Sequence, residues 1–309
     1  MKNLSIILSI VCIVFSLNTN AQIQENNYQI YATKTGKIAT IDDIVKDMKN
    51  YDVLFFGEEH DDSVGHYLEN KIYRDLFAEY GEKTALSLEM FDRELQTVMS
   101  EYLKDLIREK HFNADARLWN NYKDYKPMVE FSKENKLDVV CANSPRRYVN
   151  LVGRKGQQVL KELPKNAQQL FAPIPFDTAS GKYYEKLADL FGYNNMTSHD
   201  TGAAKQSSAG MMASFNMVTS QSLWDATMAY SIAEYAKKNP KNKIFQINGR
   251  FHSDEHYGIV IQLKKYSPKT KPLVISSFSD VSFPNIDWEK YKTQADYILV
   301  TDPSIPKTF

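Results

Sequence analysis

Two short stretches carry the residue types best suited to chemistry. Gly57-Glu58-Glu59-His60 follows the apolar run Val53-Leu54-Phe55-Phe56, and Gly249-Arg250-Phe251-His252 follows Ile244-Phe245-Gln246-Ile247-Asn248. Each is an apolar run of strand length that ends in Gly-x-x-His. With 12 glycines and 6 histidines among 309 residues, two such spacings after such runs are not expected by accident. They point to one shared site. Glycine lets the chain leave a strand sharply, so the following side chains project over the sheet edge. A third apolar run, Ala85-Leu86-Ser87-Leu88, ends at Glu89. His60, Glu89 and His252, with Glu58 or Glu59, form an N/O donor set suited to Zn, Mn or Co. The same residues also suit metal-free catalysis, with His60 and a glutamate as general base and orienter of a water. Acidic residues at a helix N-terminus would explain one of Glu58 and Glu59 without any chemistry, but two poorly.

The remaining candidates are weaker. Asn143 ends a fourth apolar run, and Arg146 and Arg147 just beyond it are as consistent with an anion clamp as with solvated surface. His252 and His256 are four apart, but Ser253 stands where a zinc-protease helix needs glutamate, so that reading is rejected. His66 and His111 read as structural or exposed. His199 lies in a segment rich in Gly, Ser and Met and is a candidate to close over a ligand. Cys141, inside the run Val139-Val140-Cys141-Ala142, reads as a small core residue.

The elements that must position these residues follow from the same patterning. Strands are expected at 28–33 and 37–40 (a hairpin around Gly36), to Gly57, at 84–90, 138–142, 243–248, 272–277 and 297–300. Helices are expected at about 42–50, capped by Asp42 or Asp43, then 63–81, 92–110, 126–136, 155–162 and 180–190. A long one carries Trp224, Met228, Ile232 and Tyr235, and another runs from His252 through Leu263. Apolar strands alternating with helices predict an α/β fold: a mostly parallel central sheet flanked by helices. Residues 194–213 suit a loop or lid, and roughly 148–215 a helical insertion within a single domain of 22–309. In open sheets of this class ligands bind beyond the carboxyl ends of the strands. Glu58, Glu59, His60, Glu89, Asn143 and His252 all fall there.

Residues 1–21 are read as a signal peptide: Lys2, an apolar run from Leu4 to Leu17, and a small-residue cleavage site ending at Ala21. Export to the periplasm or outer membrane is expected. No cysteine adjoins the cleavage site, so a lipid anchor is not. The mature chain would keep only Cys141, so its fold must rest on its core. Lys+Arg and Asp+Glu both total 38, which gives no electrostatic reason to expect a nucleic-acid partner.

Five stretches, taken in order, resemble the ChaN-like haem-binding family of the Tiki, TraB and erythromycin-esterase superfamily. They are Gly57-Glu58-Glu59-His60, Leu88-Glu89-Met90-Phe91, Ala142-Asn143-Ser144-Pro145-Arg146, Gln221 with Trp224 to Ala229, and Gly249-Arg250-Phe251-His252. The resemblance spans about residues 50 to 265. It implies an exported haem-binding protein of iron uptake, a tyrosine as haem ligand, dimers that enclose stacked haems, and an outer-membrane uptake system as partner. No motif marks the tyrosine; Tyr183 and Tyr184, with His199, Asn143 and Arg147, are the candidates for haem contact. The wider superfamily implies an alternative: hydrolysis by the paired histidines and glutamates, in some branches with a divalent metal.

Overall fold

A computed structural model describes residues 23–190 and 208–309, with side chains in the second part from Met217 onward. In chain order its elements are β1 (Tyr28–Ala32), β2 (Lys37–Ala39), α1 (Ile41–Asp47), β3 (Val53–Glu58), α2 (Ser63–Tyr80), β4 (Thr84–Asp92), α3 (Gln96–Leu103), α4 (Glu109–Asp115), α5 (Tyr122–Glu134) and β5 (Val139–Asn143). They continue with α6 (Arg146–Lys155), α7 (Lys165–Gln168), α8 (Gly181–Leu190), α9 (Ser208–Lys238), β6 (Lys243–Gly249), α10 (Ile259–Tyr266), β7 (Pro272–Ser279) and β8 (Tyr297–Thr301). The strands form one sheet in the order β2-β1-β8-β7-β3-β6-β4-β5. The six from β8 to β5 run parallel, and the β1–β2 hairpin closes one edge antiparallel. This is the expected α/β class.

Strand residues alternate between two cores because successive side chains point to opposite faces. Leu54, Phe56, Leu86, Leu88, Phe245 and Ile247 pack under a layer that includes Leu68, Ile72 and Tyr73 of α2 and Met128 of α5. Val53, Phe55, Ile244 and Val274 pack on the other face against Met228 and Ile232 of α9 and Ile259 and Leu263 of α10. Burial on both faces explains why the strands read as continuous apolar runs. A smaller cluster (Val149, Val152, Leu160, Phe171, Phe176) joins α6 and the segment after it to Leu223 and Ala226 of α9. Its residues before α9 lie within the span read as a helical insertion.

Several local expectations change. Thr40, not Asp42 or Asp43, caps α1: its side chain accepts from the Asp43 N–H while the Asp43 carboxylate accepts from Thr40, a reciprocal pair that satisfies two orphan donors. The helical stretch at 92–110 breaks into α3 and α4 at Asp105, which sits at φ 58°. Helix α6 starts directly after Pro145, so Arg146 and Arg147 open a helix. Proline removes no intrahelical bond at a helix start. Residues 157–162 form only a 3-10 turn. His252 enters no α-helix; two 3-10 turns carry the chain from Arg250 to His256 before α10 begins. The span read as a lid, 194–213, lies outside the described residues except for the start of α9.

Candidate functional site

Strands β3, β6 and β4 are neighbours, and their carboxyl ends meet. In the β3–β6 ladder Gly57 faces Asn248 and Glu58 faces Gly249, so the two Gly-x-x-His stretches lie side by side, offset by one residue. Each glycine makes room for the other stretch. A Cβ on Gly249 would stand 2.8 Å from His60 Nε2, and one on Gly57 would stand 2.9 Å from both the Arg250 Cα and the Ser253 Oγ. The recurrence of glycine is therefore steric: two chains leave adjacent strands and cross closely.

His252 is buried between two carboxylates. Its Nδ1 lies 2.6 Å from Asp225 Oδ1 and its Nε2 3.4 Å from Glu89 Oε1. Glu89 is fixed by the Gly249 N–H, which donates to Oε2 at 2.7 Å, and Asp225 by the Tyr183 hydroxyl, which donates to Oδ2 at 2.7 Å. The Gln221 carboxamide lies against the ring, 3.1 Å from Nδ1. Burial works against an imidazolium here, but the Glu89 and Asp225 carboxylates outweigh it and raise His252 to about 10. Burial would likewise raise Glu89, yet the imidazolium of His252, with His60 and the Gly249 N–H, holds it at about 2. Asp225 is raised by burial, which its bonds to His252 and Tyr183 offset only in part.

His60 is braced differently. Its Nδ1 lies 2.6 Å from Glu58 Oε1, which also accepts the Tyr125 hydroxyl at 2.7 Å. Its backbone oxygen accepts from Asn121 Nδ2 at 3.1 Å, and Trp119 stands edge-on to the ring. Burial lowers the His60 affinity for a proton, but the bond to Glu58 and its charge reverse this, and the net direction is upward. With Nδ1 donating to Glu58, a neutral His60 keeps its lone pair on Nε2, the nitrogen beside Gly249. Behind Glu58, His66 Nδ1 lies 3.3 Å from Glu58 Oε2 and 3.0 Å from Glu69 Oε2. Burial, and for Glu58 the neighbouring Glu69 carboxylate as well, push both glutamates up to about 8.

The other candidates scatter. Glu59 turns aside to Arg250, 3.5 Å away, and to the Ser279 N–H. Asn143 is buried and accepts from the Ser144 N–H at 2.8 Å. Arg147 is held by Glu94 through two bonds of 2.7 and 2.5 Å and lies over the Tyr148 ring, so its guanidinium is already committed. Tyr183 is buried with its hydroxyl on Asp225, whereas Tyr184 is half-buried beside the cluster of Tyr183, Leu187 and Val218. His256 pairs with Asp296 at 3.0 Å. Cys141 is buried, and burial pushes its thiol up. His199 lies outside the described residues.

The residues missed are His66, Glu69, Tyr125, Asn121 and the charge role of Asp225. One signal existed. The inward face of α2 reads Val64, Leu68, Ile72 and Leu76, and His66 and Glu69 are buried with it; ionisable residues on an apolar helix face are rarely buried unless paired.

The paired histidines with Glu89 are not the group best placed to share a metal ion. Among the described residues, the trio close enough to share one ion is Glu58, His66 and Glu69, one ligand atom of each lying within 4.8 Å of the others. His60, Glu89 and His252 do not meet this way. Haem iron needs a ligand atom with a porphyrin's width of open space before it. His252, the second histidine of the pair, is buried with both ring nitrogens turned to carboxylates. The Tyr183 phenol is committed to Asp225, and burial, with the Asp225 charge, raises it far above the usual phenol range. His252 and Tyr183 are therefore already engaged by other groups of the site.

The charge arrangement has a measurable consequence. Because His252 is raised from an ordinary value near 6.5 to about 10, its contribution to stability is complete below about pH 6.5 and is lost as pH rises through about 10. In Asp225→Asn the imidazole is expected to bind its proton about tenfold more weakly or worse, read by NMR titration of its ring protons. The fall in unfolding free energy between about pH 7 and 10 should shrink accordingly. An unchanged His252 titration would show that Asp225 does not hold the charge.

The comparisons with known proteins agree with this architecture. Among solved structures the chain is similar to ChaN of Campylobacter jejuni, a structure of cofacial haem binding, with 17% identity over 90% of this chain and 98% of that one and a TM-score of 0.68. An erythromycin esterase in its open conformation is 10% identical over 90% of this chain and 99% of its own, with a TM-score of 0.45. A Bacillus cereus protein is 14% identical over 85% and 92%, with a TM-score of 0.43. These two looser likenesses carry no argument. No curated protein matches the chain. The model of the family described as haem-binding uptake, Tiki superfamily, ChaN matches residues 44–263, and the chain belongs to that family.

Proposed function

We propose that this protein is exported, binds haem and serves iron acquisition. The observation that carries the reading is the family match across residues 44–263, which includes every strand of the sheet's centre except β7. The sheet and its helices act as the scaffold, and haem is held away from the strand ends. Tyr184 on α8 and His199 are the candidate ligands, because both belong to the stretch between α7 and α9. A homodimer that brings two haems face to face and an outer-membrane uptake system as recipient complete the proposal. Among the described residues no helix is long and apolar enough to cross a membrane.

Titrated with hemin, the purified chain is expected to give a saturable Soret band. Tyr184→Phe or His199→Ala should weaken binding about tenfold or more, about 1.4 kcal/mol, while His252→Gln leaves the band unchanged. Uptake that never saturates and is dispersed by salt would sink the haem reading. For export, N-terminal sequencing of the protein recovered from the periplasmic or membrane fraction should begin at Gln22; a chain retained in the cytosol with its first 21 residues intact would exclude it.

A second reading rests on the asymmetry of the two imidazoles. His60 is oriented by Glu58 with Nε2 free to take a proton, and His252 is held as a cation by Asp225 and Glu89. A base beside a fixed positive charge is an arrangement suited to hydrolysis, the cation stabilising a developing oxyanion. Glu58 then orients the base; it is not itself the base. If this site turns over esters, His60→Ala and His252→Ala should each lower kcat by about 100-fold or more, with KM less affected. Equal residual rates in wild type and both variants would leave the site without catalytic function.

A further inference from the structure

Beneath His60, between β3 and α2, lies a cluster that the paired histidines do not explain. His66 Nε2 is 3.0 Å from the backbone oxygen of His60. A carbonyl only accepts, so this nitrogen carries hydrogen. The other ring nitrogen, Nδ1, then faces Glu69 Oε2 at 3.0 Å and Glu58 Oε2 at 3.3 Å. Glu58, His66 and Glu69 are all buried, and Glu69 is fully so. Glu58 Oε2 and Glu69 Oε1 are buried without a hydrogen-bond donor, as is Asp124 Oδ2, which lies 3.9 Å from His66 Nε2. Among the described residues the ion pairs of Glu58 and Glu69 are with imidazoles alone, with no lysine or arginine. Buried carboxylate oxygens without donors are costly, and this convergence leaves a deficit of positive charge.

The separations are those of a coordination shell. Zn–N and Zn–O bonds of roughly 2.1 Å place neighbouring ligand atoms about 3.0 Å apart in an octahedron and about 3.4 Å apart in a tetrahedron. The observed 3.0 and 3.3 Å match these edges. We propose that His66 Nδ1 and one carboxylate oxygen each from Glu58 and Glu69 bind a divalent transition-metal ion of the Zn²⁺ or Mn²⁺ class. The ion ties the end of β3 to α2. Glu58 binds it through Oε2 while Oε1 keeps its bond to His60, so the ion sets the orientation of that imidazole from behind. It is separate from haem, and hemin titration reads the two independently.

The full chain, stripped with chelator, is exposed to Zn²⁺ or Mn²⁺, desalted and analysed by inductively coupled plasma mass spectrometry. About one ion per chain should be retained, with at least a tenfold loss of affinity in Glu69→Gln and in His66→Gln and no loss in His252→Gln. Should either α2 variant fail to fold, crystals of the unaltered chain soaked in Zn²⁺ supply the answer, with an anomalous peak between Glu58, His66 and Glu69. No retained ion, or crystals without that peak, would overturn the proposal in favour of a proton shared by the two glutamates. Retention that survives Glu69→Gln and is lost in His252→Gln would overturn it too, by placing the ion at the paired histidines.

Discussion

The parallel pairing of β3 with β6, in the register that sets Glu58 opposite Gly249, is the constraint on which the rest of the site depends. A slip by one residue would turn every side chain of a strand to the opposite face and put Phe55 and Ile244 into the wrong core. The register is therefore held by burial on both faces, far from the polar residues it aligns. Once it is set, His60 must pass over residue 249 and the chain after β6 must pass under residue 57, and only glycine leaves space at both crossings.

Two kinds of buried charge result. Around His252 the account balances: the imidazolium sits between Asp225 and Glu89, and each carboxylate is held by a further donor, Tyr183 or Gly249. Such a buried group is fully paired and rigid. Around Glu58 and Glu69 it does not balance, since carboxylate oxygens remain without donors. Glu58 belongs to both regions, with one oxygen turned to His60 and the other to His66, so whatever neutralises the inner cluster also sets the outer imidazole.

Family membership and site chemistry answer separate questions. Membership rests on most of the chain and carries the haem reading. The strand-end residues form a closely packed polar site in which His252 and Tyr183 are already bonded to Asp225. One fold commonly hosts unrelated sites, and the polar site of this chain lies over the centre of the sheet, where β3 pairs with β6.

The order and type of the strands, the paired Gly-x-x-His and the placement of Glu58, His60, Glu89 and His252 at strand ends could be read from the chain alone. Their signals are local: an apolar run, a glycine, a polar residue at a fixed distance. Helix α6 is not legible because Pro145 and two arginines directly follow the end of β5, and the cap of α1 is not because Asp42 and Asp43 are as good cappers as Thr40. Only the tertiary structure could pair His252 with Asp225, 27 residues away, or bring Tyr125 to Glu58 across 67 residues. Helix patterning records which face is buried, but not which strand it meets or which buried partner a carboxylate finds there. His66 and Glu69 show the boundary: their burial could be inferred from the face of α2, whereas their encounter with Glu58 required that helix to be docked against the end of β3.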